Sequence, residues 1–248
     1  MSHSIANPAS PSAAVSVIIP VYNREAYVGD AIRSVLGQTV PPAEVIVVDD
    51  GSSDRSAEII QSFGPPVRYV AQANSGAAVA RNRGVDLATG ELLAFLDSDD
   101  RWQPDKLERQ LAALQAQPEL AMVFGHVRQF ISPDLDADAQ AKVRIPAEVM
   151  AGYHVGTLLI RRDAFFRVGY FETQWQVGEF VSWQMKATEL GLPMQMLAEV
   201  VMERRLHATN MGRSQPSSGT DYLRIVRAAL DRRRAQGAPS TAVNDGQV

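Results

Sequence analysis

The chain has 248 residues, enough for one large domain or a domain with an appendage, and 46% hydrophobic content suffices for a sizeable core. A formal net charge of −4 gives no electrostatic footprint for nucleic acid. The absence of cysteine excludes disulfides, thiolate catalysis and cysteine-ligated zinc or iron–sulfur sites. No apolar run approaches the ~20 residues that span a bilayer. Residues 1–14 are rich in Ser, Ala and Pro and lack the basic start and apolar stretch of a signal peptide, so they read as a disordered leader. The expected location is the cytoplasm.

Val15 to Val21 is a β-branched run of strand length that ends in Tyr22-Asn23-Arg24-Glu25. A helical pattern follows, with Val28, Ile32, Val35 and Leu36 on one face. Pro41-Pro42 breaks the chain before a second buried strand, 44–48, which runs into Asp49-Asp50-Gly51-Ser52-Ser53-Asp54. A helix carrying Ile59, Ile60 and Phe63 stops at Gly64-Pro65-Pro66, and 67–70 is a third, shorter strand. Asn74-Ser75-Gly76 opens an Ala-rich helix over 77–88, closed by Thr89-Gly90. The fourth strand, Leu92 to Leu96, is apolar throughout and runs straight into Asp97, Asp99 and Asp100.

Four strand–helix alternations with wholly apolar strands predict a parallel sheet covered on both faces. Such sheets bind ligands outside the carboxyl ends of their strands. Massing carboxylates there costs Coulomb energy unless positive charge arrives. A divalent cation with a phosphorylated ligand supplies it, since Mg²⁺ is typically held by one or two carboxylates plus substrate phosphates. The competing reading is a polar loop in which Asp99 or Asp100 caps the next helix, started by Pro104. No Gly-x-Gly-x-x-Gly follows the first strand and no Gly-Lys-Ser/Thr loop occurs, which weighs against a dehydrogenase and a P-loop nucleotidase.

Beyond this point the pattern predicts a helix over 104–117 carrying Leu107, Leu111 and Leu114, and a strand over 120–124. Residues 130–148 show no clean period and read as a mobile loop. A strand over 154–160, a short helix over 162–168, a helix over 179–190 ended by Gly191, and a last strand over 194–203 follow. Residues 221–234 read as an amphipathic helix with Tyr222, Val226, Ala229 and Leu230 on one face, and 236–248 as a loose tail.

Ile19-Pro20-Val21-Tyr22-Asn23, Val48 to Asp54, Asn74-Ser75-Gly76, Ala80-Arg81-Asn82-Arg83-Gly84 and Leu96 to Asp100, then Trp102, Pro104 and Leu107, stand in an order that resembles the family-2 glycosyltransferases. The likeness is dense over residues 15–125 and traceable to 215. It implies a GT-A type fold: a mostly parallel, Rossmann-like α/β sheet flanked by helices, with a C-terminal acceptor-side extension. The implied division is a nucleotide-sugar-binding half at 15–125, an acceptor-side half at 126–220, a C-terminal helix at 221–235 and the tail.

The same resemblance implies that Pro20, Tyr22 and Asp50 hold the nucleotide base, since a carboxylate can accept the N3–H of uracil. A turn-former before Gly51 is the alternative for Asp50. Arg81 would be the basic partner of the nucleotide or its phosphates, or else a solvated charge on its helix. Asp97 and Ser98 would meet the ribose and the metal. Asp99 would ligate Mn²⁺ or Mg²⁺ directly, and the ion would act as a Lewis acid on the leaving diphosphate. His207, in Arg204-Arg205-Leu206-His207, would ligate the metal or touch the diphosphate, with a structural role as its alternative. Arg205 is equally suited to pairing with a surface acid. Trp175 and Trp183 are candidates for stacking on a sugar, against ordinary core packing.

Similar enzymes carry Glu-Asp near the start of a helix in the second half, with the Asp as general base. Here Gly178-Glu179-Phe180 puts Phe180 in the Asp position, so Glu179 is the expected catalytic base. A helix N-terminal charge is its structural alternative. The implied activity is inverting transfer from a UDP-sugar to an acceptor hydroxyl of a saccharide, lipid-linked sugar, small metabolite or peptide. A nucleotide-sugar-binding or partner protein that has lost the base is the second reading. A nucleotidyltransferase is the third, disfavoured by the lack of a Gly-rich triphosphate loop with a basic residue.

Overall fold

A computed structural model describes residues 14–136, 140, 149–207 and 218–237. All of the expected leader but Ala14, residues 238–248 of the expected tail and most of the expected loop at 130–148 lie outside the described residues, while residues 236–237 of the tail continue the last helix. The N-terminal part alternates as its periodicity predicts: β1 (Val15–Val21), α1 (Val28–Leu36), β2 (Glu44–Asp49), α2 (Ser56–Gln61), β3 (Val67–Ala71), α3 (Ala77–Leu87) and β4 (Leu92–Phe95). The later part comprises β5 (Arg101–Trp102), α4 (Lys106–Ala116), β6 (Met122–Ile131), β7 (Met150–Gly152), β8 (Leu159–Arg161), α5 (Arg162–Val168), α6 (Glu179–Glu189), β9 (Met194–Leu206) and α7 (Ser218–Gly237).

The sheet runs β3-β2-β1-β4-β8-β6-β9-β5, with β7 paired to β6. The first four strands are parallel, β8 is antiparallel to β4 and β6, and β9 is parallel to β6. Alternation along each strand divides the apolar residues between two cores. Val17, Ile19, Val45 and Val47 face α1, α2 and α4, whereas Ile18, Ile46 and Val48 face α3, α5 and α6. Both faces are therefore covered, and this is why β1 carries no alternating polar residues beyond Ser16. Gly84 lets α3 lie close on β1, since a Cβ there would stand 2.4 Å from Ile18 Cγ2.

Three expectations are corrected. The strand over 154–160 is instead a 3₁₀ turn at Val155–Thr157 followed by β8. The Thr157 hydroxyl donates toward the carbonyls of Gly152 and His154, and these bonds hold the backbone in a turn where its β-branched residues favour a strand. Phe130 and Ile131 continue β6 rather than opening a loop, because β9 runs on to Leu206 and pairs with them. The last helix buries Asp221, Ile225 and Ala229, while Tyr222, Val226 and Leu230 are exposed. Its rotation is set by a polar anchor: Asp221 Oδ2 accepts from the backbone N–H of Gln176 at 3.0 Å. Gly178, at φ +83°, leaves room for Ile225, whose Cδ1 would meet a Cβ there at 2.9 Å. Among the described residues no helix is long and apolar enough to cross a membrane.

Candidate active site

The carboxyl ends of β1, β2 and β4 open into a cavity of about 430 Å³. Pro20, Tyr22, Asp50, Arg81, Asp97, Ser98 and Asp99 all line it, together with Arg24, Asp100 and Arg204. At the β2 end the two adjacent aspartates divide their work. Asp49 Oδ1 accepts from Ser52 N at 2.9 Å and its Oδ2 from the Tyr69 hydroxyl at 2.9 Å, so Asp49 forms the turn. Asp50 points toward the cavity. Its Oδ1 accepts from Gln72 Nε2 at 2.7 Å and Ser75 N at 2.8 Å, and its Oδ2 from Gly76 N at 2.8 Å. A carboxylate offers about four lone-pair sites, so Oδ2 retains one for a donor in the cavity.

The β4 end is built on ion pairs. Arg81 is buried; its Nη2 lies 2.6 Å from Asp97 Oδ1 and its Nη1 2.5 Å from Glu179 Oε1. Burial alone would make this guanidinium easier to deprotonate, but the Asp97 and Glu179 carboxylates outweigh it and hold it charged. Its Nε is buried and has no hydrogen-bond partner among the described residues. Burial pushes Asp97 up, but Arg81 and then His154 overcome this and lower it. Asp99 Oδ2 lies 2.9 Å from His207 Nε2 and 3.4 Å from Arg24 Nε. Asp100 accepts from Arg205 N at 2.9 Å, and burial, reinforced by the Asp99 and Asp97 charges, raises it well above the usual carboxylate range.

Glu179 and His207 are thus tied to the cavity through Arg81 and Asp99. Arg81 is no solvated surface charge. Arg205 turns away from the cavity, its Nη2 2.9 Å from Asp30 Oδ2 and its Nε donating to the Asp99 carbonyl at 3.0 Å. The indole of Trp183 is buried, donates to the Gly169 carbonyl and stacks with Phe165 and Phe180, so it belongs to the core. Trp175 donates to Glu172 Oε2 at 2.8 Å. Phe180 packs beside Phe124 and Trp183 and turns no polar atom toward the site.

Arg24, His154 and Arg204 join the cavity or its cluster without a role expected from sequence, and Asp100, expected only as one of the massed carboxylates or as a helix cap, joins them. Strand alternation puts Arg204 and Arg205 on opposite faces of β9, and only the register reveals which faces the cavity. His154 Nε2 lies 3.9 Å from Asp97 Oδ2. Burial pulls its imidazole below the usual histidine range, with Asp97 opposing, which favours the neutral, ligating form. One ligand atom from each of Asp97, Asp100 and His154 lies within 4.8 Å of the others. Carboxylate oxygens with imidazole nitrogens suit Mn²⁺ and, through the oxygens, Mg²⁺, so the donor set fits a divalent ion.

A mostly parallel sheet flanked by helices, with acidic residues massed at the carboxyl end of its fourth strand, is the GT-A type of α/β fold. The sequence profile of Glycosyl transferase family 2 matches residues 16–175, and the chain belongs to that family. TuaG of Bacillus subtilis (strain 168), a candidate glycosyltransferase of teichuronic acid biosynthesis, is 49% identical over 102 residues, covering 39% of this chain and 40% of TuaG. YibD of Escherichia coli (strain K12), an uncharacterized glycosyltransferase, is 44% identical over 97 residues, covering 38% of this chain and 28% of YibD. The chain spans less than half the length of these curated relatives. Among solved structures, S. aureus TarS in complex with UDP-GlcNAc superposes with a TM-score of 0.69 at 22% identity, over 88% of this chain and 66% of that one. At that identity the likeness shows a shared fold.

Proposed function

We propose that this chain transfers a sugar from a UDP-sugar to an acceptor hydroxyl with inversion at the anomeric carbon. The observation that carries the reading is the cavity. It has a carboxylate with a lone pair to spare at the β2 end and a cluster of carboxylates and arginines at the β4 end. The first matches uracil N3–H and the second a diphosphate. Solved complexes of TarS with UDP and with UDP-GlcNAc support the donor class.

In this reading Pro20 and Tyr22 flank the base while Asp50 accepts its N3–H. Arg24, Arg81 and Arg204 balance the diphosphate. Asp99 with His207, and Asp97 and Asp100 with His154, would hold Mn²⁺ or Mg²⁺. A cation bound there supplies Lewis-acid neutralisation of the leaving diphosphate. The acceptor hydroxyl forms a bond to the anomeric carbon as the bond from that carbon to the phosphate oxygen breaks. The hydroxyl proton goes to Glu179, and UDP leaves with the bonding electron pair. Arg81 orients Glu179 from the donor side, because one guanidinium holds both Asp97 and Glu179.

A second reading, a nucleotide-sugar binder without transfer chemistry, draws on Phe180. The residue in the family's Asp position packs into an aromatic core, and Glu179 is engaged by Arg81. The first experiment is a panel of nucleotide-sugars screened for thermal stabilisation with and without Mn²⁺. UDP-sugars should raise the melting temperature more than GDP- or ADP-sugars, and more with the metal. A melting temperature indifferent to every nucleotide-sugar overturns both readings.

A further inference from the structure

Helix α7 carries two apolar faces. The inner one is anchored: Ile225 and Ala229 are buried, Asp221 caps the backbone of Gln176, and Arg232 Nε lies 2.8 Å from Glu189 Oε2. With the rotation fixed at both ends, the other face is held outward. Leu223 is 74% exposed, and Val226 and Leu230 are each 46% exposed. Spacings of three, four and seven residues place these side chains in one stripe along the helix. Large apolar side chains exposed together, rather than singly, mark an interaction surface.

The surroundings of the stripe specify the occupant. Arg227 and Arg233 are exposed and flank it on either side, and the exposed Arg224 and Arg234 lie on the same helix. Arg224 and Arg234 keep loose contacts with Asp221 and Asp231, at 3.9 and 3.6 Å. Asp231 stands about 100° around the helix from Leu230, off the stripe. This is a cationic, apolar edge on a chain whose formal net charge is −4. A second copy related by two-fold symmetry would set arginines against arginines, which opposes self-association. Anionic lipid headgroups satisfy both parts of the surface: leucines enter the headgroup–acyl boundary while arginines snorkel to the phosphates.

We propose that α7 docks the protein on an anionic membrane surface, lying in the interface through Leu223, Val226 and Leu230 with Arg227 and Arg233 at its edges. This does not rest on the proposed transfer activity. The test is cosedimentation of the full chain with vesicles of phosphatidylcholine alone or mixed with phosphatidylglycerol. The wild type should bind only the mixed vesicles, and added salt should weaken it. Replacing Arg227 and Arg233 together by Gln should lower the partition coefficient roughly 25-fold, at about fivefold for each arginine removed. A Leu223→Ser, Val226→Ser, Leu230→Ser triple variant should lose binding while keeping its melting temperature, because none of the three is buried. Failure of the wild type to bind the mixed vesicles overturns the proposal, as does a triple variant that binds as well as the wild type. A wild-type dimer that the triple substitution converts to monomer would instead assign the stripe to a second copy, and likewise overturns it.

Discussion

The acidic clusters at the ends of β2 and β4 look alike in sequence and are stabilised in opposite ways. At β2, Asp49 and Asp50 are satisfied by neutral donors: backbone N–H groups, a tyrosine hydroxyl and a glutamine amide. At β4, Asp97 and Asp99 face cations, and Asp100 is held against its own neighbours' charge. The first arrangement needs no charge to enter the cavity and leaves one Asp50 lone pair for a neutral donor. The second is a balance that an incoming diphosphate or metal must redistribute. In the proposed function, recognition belongs to the β2 end and charge handling to the β4 end.

The sharpest way to break that division lies at Glu179, which joins the β4 cluster through Arg81. Glu179→Gln keeps the side chain's size and removes its basicity, so transfer should fall by roughly 10²–10⁴ with UDP affinity nearly unchanged. Wild-type turnover in this variant removes Glu179 from the base role, and loss of UDP binding as well makes it structural. Next, Asp99→Ala should abolish the metal-dependent increment of UDP binding and leave the fold intact. Calorimetry with UDP and Mn²⁺ decides it, and an unchanged affinity would reduce the β4 cluster to architecture.

Asp50→Ala should weaken UDP by roughly one to two decades, the equivalent of about 1–3 kcal/mol for a lost designed hydrogen bond. The response to Mn²⁺ should persist. Asp49→Ala, next to it, should lower the melting temperature and spare UDP affinity; equal losses of affinity in the two would erase the distinction.

The smallest effect on the site is expected at Glu172, which lies in neither cluster. Burial pushes its carboxyl up, but hydrogen bonds from Lys186, Ser182 and Trp175 with the Lys186 charge outweigh this and hold it at about 2. A carboxyl lowered on folding stabilises above its ordinary value of 4.5, and the gain is lost as pH falls from there through about 2. Glu172→Gln should therefore cost about 2 kcal/mol near neutral pH and almost nothing at the acid end, read by denaturant unfolding. A difference that does not shrink with acid would contradict the assignment.

The donor side was legible because its chemistry is local. Each carboxylate there follows directly on an apolar strand whose burial is visible in composition, and the loops after β1, β2 and β4 carry the motifs that resemble the family. The other side needed tertiary information. Arg204 and Arg205 are neighbours whose roles differ only by the parity of β9. His154 read as the start of a strand because Val155, Thr157, Leu158 and Ile160 favour one, and the Thr157 side-chain bonds that make it a turn leave no periodic trace. In α7 both alternative faces carry apolar residues, and two polar anchors, Asp221 on Gln176 N and Arg232 on Glu189, select between them. Trp183 is an indole in a core, and nothing in its local sequence separates that from a sugar platform.

The long-range polar contacts around the β4 end have a consequence for the order of folding. Arg81 and Glu179 are 98 positions apart, Asp100 and Arg205 105, and Asp99 and His207 108. A ribosome releasing this chain exposes Asp97, Asp99 and Asp100 long before residues 179–207 exist to meet them. Each closure spans a long loop whose entropy must be lost before the contact forms, which is the signature of a slow, late event. The parallel β1–β4 layer can assemble from consecutive segments, and Arg81 and Arg24 within it already meet Asp97 and Asp99, but Asp100 gains its backbone partner, Arg205 N, only when β9 docks on β6. The cavity is therefore finished by the last strand of the sheet, and a nascent or nicked chain that lacks β9 has a cleft at the β1, β2 and β4 ends without Arg204 in its wall.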